Sequence, residues 1–130
     1  MFKLGMIGTG IIARTYFDAL KAVDDFKLAA VAEINEEVAK SVSEEQGVPC
    51  YLDYKEMCEK EELDAVVINL PHFLHCEATV FCLEHGIHVL CEKPMANTVE
   101  ECEKMIEAEK KSGKKLAIAI LCAIFLQLWL

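Results

Sequence analysis

The chain has 130 residues, with 22 Asp and Glu against 13 Lys and Arg, for a formal net charge of −9 at neutral pH. Hydrophobic residues make up 54% and charged residues 27%, which excludes a disordered chain and suffices for one domain with a real core. The acidic balance, with Arg14 the only arginine, argues against nucleic acid or an anionic membrane as a partner, because phosphates would be repelled.

In chain order the segments alternate strand and helix, without repeat, linker or low-complexity tract. That pattern predicts a parallel sheet with helices on its faces. Residues 3–8 form a short apolar run that stops at a glycine, and residues 11–23 carry apolar side chains at helical spacing. Residues 27–33 make a second buried strand. Asn35 then caps a helix whose first turn holds Glu36 and Glu37, favourable at the positive helix end, and which stops near Gly47 and Pro49.

A short strand over residues 49–52 precedes Asp53, the expected cap of a helix of one to two turns. Residues 64–70 are β-branched and uninterrupted, as in a central strand buried on both faces. A helix over 75–85 ends at Gly86, and residues 87–91 give the next strand. Thr98 and Glu101 have the spacing of a capping box, opening a helix that runs to Ser112 and Gly113. Residues 116–120 are the sixth strand. The seven cysteines are odd in number and none has C-x-x-C spacing. They read as buried free thiols of a reducing cytoplasm, and no secretory leader precedes the first strand.

Two constellations carry chemistry. Gly8, Thr9, Gly10, Ile11, Ile12 and Ala13 fit G-x-G-x-x-G/A between a strand and a helix. Gly8 permits the tight turn, Gly10 lets a pyrophosphate approach the backbone, and Ala13 lets helix and strand pack closely. The helix start offers free N–H groups to the phosphates. Glu33 follows about 20 residues past Ala13, where an acidic residue accepts from the adenosine ribose hydroxyls. A carboxylate there repels the 2′-phosphate of NADP, and no Arg or Lys follows at positions 34–37. NAD is therefore the expected cofactor, ahead of NADP. The second constellation is Glu92, Lys93 and Pro94, just past the fifth strand. A lysine at the carboxyl end of such a strand can contact the nicotinamide ribose or a substrate oxygen and can move a proton.

These segments resemble the N-terminal domain of the glucose–fructose oxidoreductase / inositol dehydrogenase / MocA family. The likeness runs over about residues 3–120, through the glycine turn with Arg14, through Val31-Ala32-Glu33, through residues 64–75, and through residues 86–96, which contain Glu92-Lys93-Pro94. It implies a doubly wound, mostly parallel six-stranded Rossmann sheet with helices on both faces. It also implies hydride transfer between a nicotinamide dinucleotide and a sugar, cyclitol or similar alcohol. Lys93 becomes the catalytic candidate, preceding a bond that is often cis. Pro71, His75 and Glu92 would lie near the nicotinamide half of the cofactor, and Leu70 is grouped with them as a cofactor-binding position.

There are departures from the family pattern. Leu70-Pro71-His72 stands where Thr-Pro-Asn is usual, and Tyr16 where a histidine is common. The family's large substrate domain, with its acid/base pair, is replaced by residues 121–130, which carry no charge. The expected organisation is a dinucleotide-binding domain over 1–120 and an apolar tail over 121–130, the chain being a fragment or an aberrant end, inactive alone. Two rival readings are a non-enzymatic dinucleotide-binding module or sensor, and a subunit completed by a separate chain. Residues 116–130 span about 22 Å as a helix, short of the roughly 30 Å of a bilayer core, so the tail is expected to promote self-association and not to span. His72, His75 and Cys76, and His85, His88 and Cys91, are soft ligands on separate elements without convergent spacing, so no metal is expected.

Overall fold

The computed structural model describes residues 1–120. Six strands form one parallel sheet in the order β3-β2-β1-β4-β5-β6. They are β1 (Phe2–Ile7), β2 (Phe26–Ala32), β3 (Cys50–Tyr51), β4 (Ala65–Ile68), β5 (His88–Glu92) and β6 (Leu116–Ala119). The helices are α1 (Ile11–Leu20), α2 (Glu36–Gln46), α3 (Tyr54–Lys60), α4 (His75–Glu84) and α5 (Val99–Ser112). From β1 the chain winds outward through β2 and β3, then returns to the other side of β1 for β4 to β6. That reversal opens a crevice at the carboxyl ends of β1 and β4, the topological switch point of a doubly wound sheet.

Alternation along the strands sorts the core into two layers. Leu4, Met6, Val31 and Val67 pack against Ala13 and Phe17 of α1 and Val42 of α2. Ile7, Val66, Ile68, Val89 and Cys91 face Met57 of α3, Cys82 and Leu83 of α4, and Met105 of α5. The caps expected from sequence are made: Asn35 Oδ1 accepts from Val38 N, Asp53 Oδ1 from Lys55 N, and Thr98 Oγ1 from Glu101 N. The capping box differs in one detail. Glu101 Oε2 accepts from Asn97 N, not from the backbone of Thr98 itself.

Several boundaries differ from the sequence reading. α1 stops at Leu20, not at residue 23, because its last turn tightens into bonds from Ala22 N to Ala19 O and from Val23 N to Leu20 O. β4, Ala65–Ile68, is shorter than the apolar run over residues 64–70; at its start Asp64 also accepts from Lys3 N through its carboxylate. A single 3-10 turn, His72–Leu74, precedes α4. The six described cysteines are all free; Cys58, Cys82 and Cys91 are buried and the others half-buried. No helix among the described residues is long and apolar enough to cross a membrane. The apolar tail over 121–130 lies outside the described residues.

Candidate dinucleotide site

β1 ends at Ile7, and Gly8 turns the chain at φ 84° into α1. A Cβ on Gly8 would stand 3.0 Å from the carbonyl oxygen of Asn69 at the end of β4. Both the dihedral and the space therefore require glycine there. Gly10 differs: it is exposed, has φ −65°, and a Cβ built on it meets nothing within 4 Å. The fold does not need a glycine at Gly10. The open space above its backbone is a cradle that a side chain would fill, which fits a pyrophosphate lying on the turn.

Glu33 closes the turn from the end of β2. Its Oε2 accepts from Thr9 Oγ1 at 2.6 Å and from Thr9 N at 3.2 Å, and its Oε1 accepts from Asn35 N at 3.0 Å. Partial burial alone would raise the carboxyl pKa. The backbone N–H of Asn35, the Thr9 hydroxyl and the backbone N–H groups of Thr9 and Ile34 outweigh it and hold the pKa below the usual range. The three hydrogen bonds from Thr9 and Asn35 leave an ionised Glu33 about one of its four acceptor sites, enough for a single ribose hydroxyl.

A cleft of about 660 Å³ runs along these residues, within the size range of small-molecule sites. Of the residues singled out in the sequence, Gly8, Thr9, Gly10, Glu33, Leu70 and Pro71 line it. The sequence reading missed Ile34, Leu52, Asp53, Tyr54, Asn69 and Leu74, which also line it. Most follow directly on the carboxyl ends of β2, β3 and β4, and that position was the available signal. Among the described residues, Glu33 and Asp53 are the only charged ones that line it, so the cleft is acidic where the ribose would lie. Ile11 and Ile12, exposed at the start of α1, stand outside the lining.

The remaining candidates lie beside the cleft. His75 is fully buried. Its Nδ1 meets the carbonyl of Pro94 and its Nε2 that of Leu70, both at 2.8 Å. Both partners are carbonyls, which only accept, so a neutral imidazole donates to one of them and merely packs against the other; the ring sits between the two loops and is not among the residues that line the cleft. Glu92 ends β5, nearly buried, with Lys93 exposed beyond it and the Lys93–Pro94 bond cis. Among the described residues no carboxylate lies within 4 Å of the Lys93 ammonium. Three or more potential metal ligands do not converge anywhere among the described residues.

Comparison with known proteins agrees with this geometry. Residues 2–120 match the model of the Gfo/Idh/MocA oxidoreductase family, NAD-binding Rossmann fold. The chain is 35% identical over 121 residues to a scyllo-inositol 2-dehydrogenase (NADP(+)) of Bacillus subtilis, covering 92% of this chain and 37% of that protein. It is 32% identical over 111 residues to the myo-inositol 2-dehydrogenase of Thermotoga maritima, covering 85% and 33%. Among solved structures, the WlbA dehydrogenase of Chromobacterium violaceum, in complex with NADH and UDP-GlcNAcA, superposes with a TM-score of 0.88 at 31% identity, over 91% of this chain and 34% of that one. The chain thus spans about a third of the length of these relatives. It belongs to the Gfo/Idh/MocA oxidoreductase family, and residues 2–120 are that family's NAD-binding Rossmann domain.

Proposed function

We propose that this chain binds NAD in preference to NADP, and that it is the dinucleotide-binding part of an oxidoreductase acting on a sugar, cyclitol or similar alcohol. The open cradle over Gly10, set between the Gly8 turn and Glu33, carries the reading. Gly10, Ile11 and Ile12 would hold the pyrophosphate through backbone N–H groups at the positive end of α1, while Gly8 and Thr9, whose own N–H groups donate to Ala32 O and Glu33 Oε2, would shape the turn beneath it. Glu33 would accept from the adenosine ribose. A 2′-phosphate there would meet Glu33 and Asp53 with no cation in the cleft lining among the described residues, which favours NAD. One relative is named for NADP(+), so this preference is a property of the residues of this chain.

When bound, the nicotinamide supplies the hydride acceptor or donor. Lys93 would hold or move a proton on the substrate oxygen. Its exposed ammonium, unpaired by carboxylates among the described residues, is free to do so. Leu70 and Pro71 would wall the cofactor, and His75 and Glu92 would support the loops that carry Pro94 and Lys93. Lys93 supplies one proton-transfer group, and the family's acid/base pair belongs to its second domain. Chain 1–130 alone is therefore expected to bind cofactor with little or no turnover. In the same reading residues 1–120 are the dinucleotide-binding domain and residues 121–130, uncharged in sequence, promote self-association.

Calorimetric titration with NAD and NADP tests the proposal. We expect saturable NAD binding, with NADP weaker by at least about tenfold, or about 1.4 kcal/mol. Equal or tighter NADP binding would overturn the role given to Glu33.

A further inference from the structure

Tyr16 lies on α1, next to Phe17, which packs in the core under β1. Half-buried, its side chain reaches across the sheet face to the carboxyl end of β5. There its hydroxyl donates to Glu92 Oε1 at 2.6 Å. Glu92 is only 9% exposed. Its other oxygen accepts from the backbone N–H of Lys93 at 3.2 Å. Among the described residues no Lys, Arg or His nitrogen lies within 4 Å of this carboxylate. A buried carboxylate without a cation depends on such donors, and the short tyrosine bond is the stronger of the two.

The arrangement joins two parts of the site that are 76 positions apart in sequence. α1 begins at the glycine turn, where its first N–H groups are available to a phosphate. Through Tyr16 and Glu92 the same helix grips the backbone of Lys93. We propose that Tyr16 is a positioning residue. By holding Glu92 it fixes the Lys93 loop relative to the glycine turn, so that the pyrophosphate and nicotinamide halves of the cofactor are held from one helix. The inference rests on the dinucleotide reading above and extends it to a residue outside the cleft lining.

Removing the hydroxyl leaves Glu92 with a single backbone donor, and a poorly satisfied buried carboxylate turns toward water. The ring itself would still pack. The loss therefore concerns the placement of Lys93, not the fold or the glycine turn.

The test compares NADH with ADP-ribose, which lacks the nicotinamide, on the 130-residue chain carrying Tyr16→Phe. We expect NADH to bind about fivefold or more weakly, with a smaller fluorescence change on binding, and ADP-ribose to bind within about twofold of the parent chain. Glu92→Leu, which removes the acceptors for both Tyr16 Oη and Lys93 N, should give the same split. The double variant should be no worse than the more affected single variant. Equal loss of both ligands in Tyr16→Phe, or no loss of either, overturns the positioning role. Failure of ADP-ribose to bind the parent chain overturns the dinucleotide reading instead, and this inference with it. If Tyr16→Phe fails to fold, the Glu92→Leu split decides.

Discussion

Gly8 and Gly10 belong to one motif but answer to different constraints. Gly8 sits at φ 84° with the Asn69 carbonyl 3.0 Å from where a Cβ would be. Gly8→Ala should cost about 1–3 kcal/mol of stability in urea unfolding. Gly10 has an ordinary dihedral and open space. Gly10→Val should keep stability within about 1 kcal/mol yet abolish NADH binding in fluorescence titration. The motif was legible in the sequence; this division of labour was not, because it depends on where β4 ends. Glu33 was legible by its spacing, whereas its bonds to both Thr9 Oγ1 and Thr9 N emerge only from the folded turn. Those bonds have a pH consequence. With its folded pKa lowered, Glu33 contributes stability that is present above the ordinary carboxylate range and is lost as pH falls through the folded value. Thermal melts from about pH 5 to about pH 3 should therefore fall less steeply for Glu33→Gln than for the parent chain.

At the scale of elements, capping and core alternation were readable because both are local rules. Asn35, Asp53 and Thr98 each accept the helix N–H expected of an N-cap. Thr98→Ala should cost about 1 kcal/mol in urea unfolding; a change under about 0.3 kcal/mol would mean that the cap contributes little. Register was harder to read. β2 carries one extra residue against β1, where Gly5 pairs with Ala30 after Leu4 pairs with Leu28. Gly5 faces Leu63 and Met57, which would lie 2.8 and 3.1 Å from a Cβ. That packing is set by α3 and the approach to β4, far along the chain, so no local pattern announces it. The 3-10 turn before α4 is similar: it brings His75 under the loop of Leu70 and Pro71, a contact that spacing alone does not predict.

Over the whole molecule, a parallel sheet was readable from the alternating segments and its doubly wound, six-stranded form from the family resemblance, and the order β3-β2-β1-β4-β5-β6 places the cleft at the reversal between β1 and β4. Leu70 and Pro71 beyond β4 were singled out in the sequence, whereas Leu52, Asp53 and Tyr54 beyond β3 were not, because that strand is only two residues long and carries no motif of its own. The cleft's acidity and the cradle over Gly10 both lie at this end of the sheet, where the proposed NAD would bind. The most direct measurement is an amide NMR titration of the 130-residue chain with NAD. The account predicts saturable shifts centred on the amides of Gly8, Thr9, Gly10, Ile11 and Ile12, with further shifts at Glu33 and Ile34. Saturation without movement of the glycine-turn amides, or shifts centred on the opposite end of the sheet around Phe26 and Lys27, would contradict it.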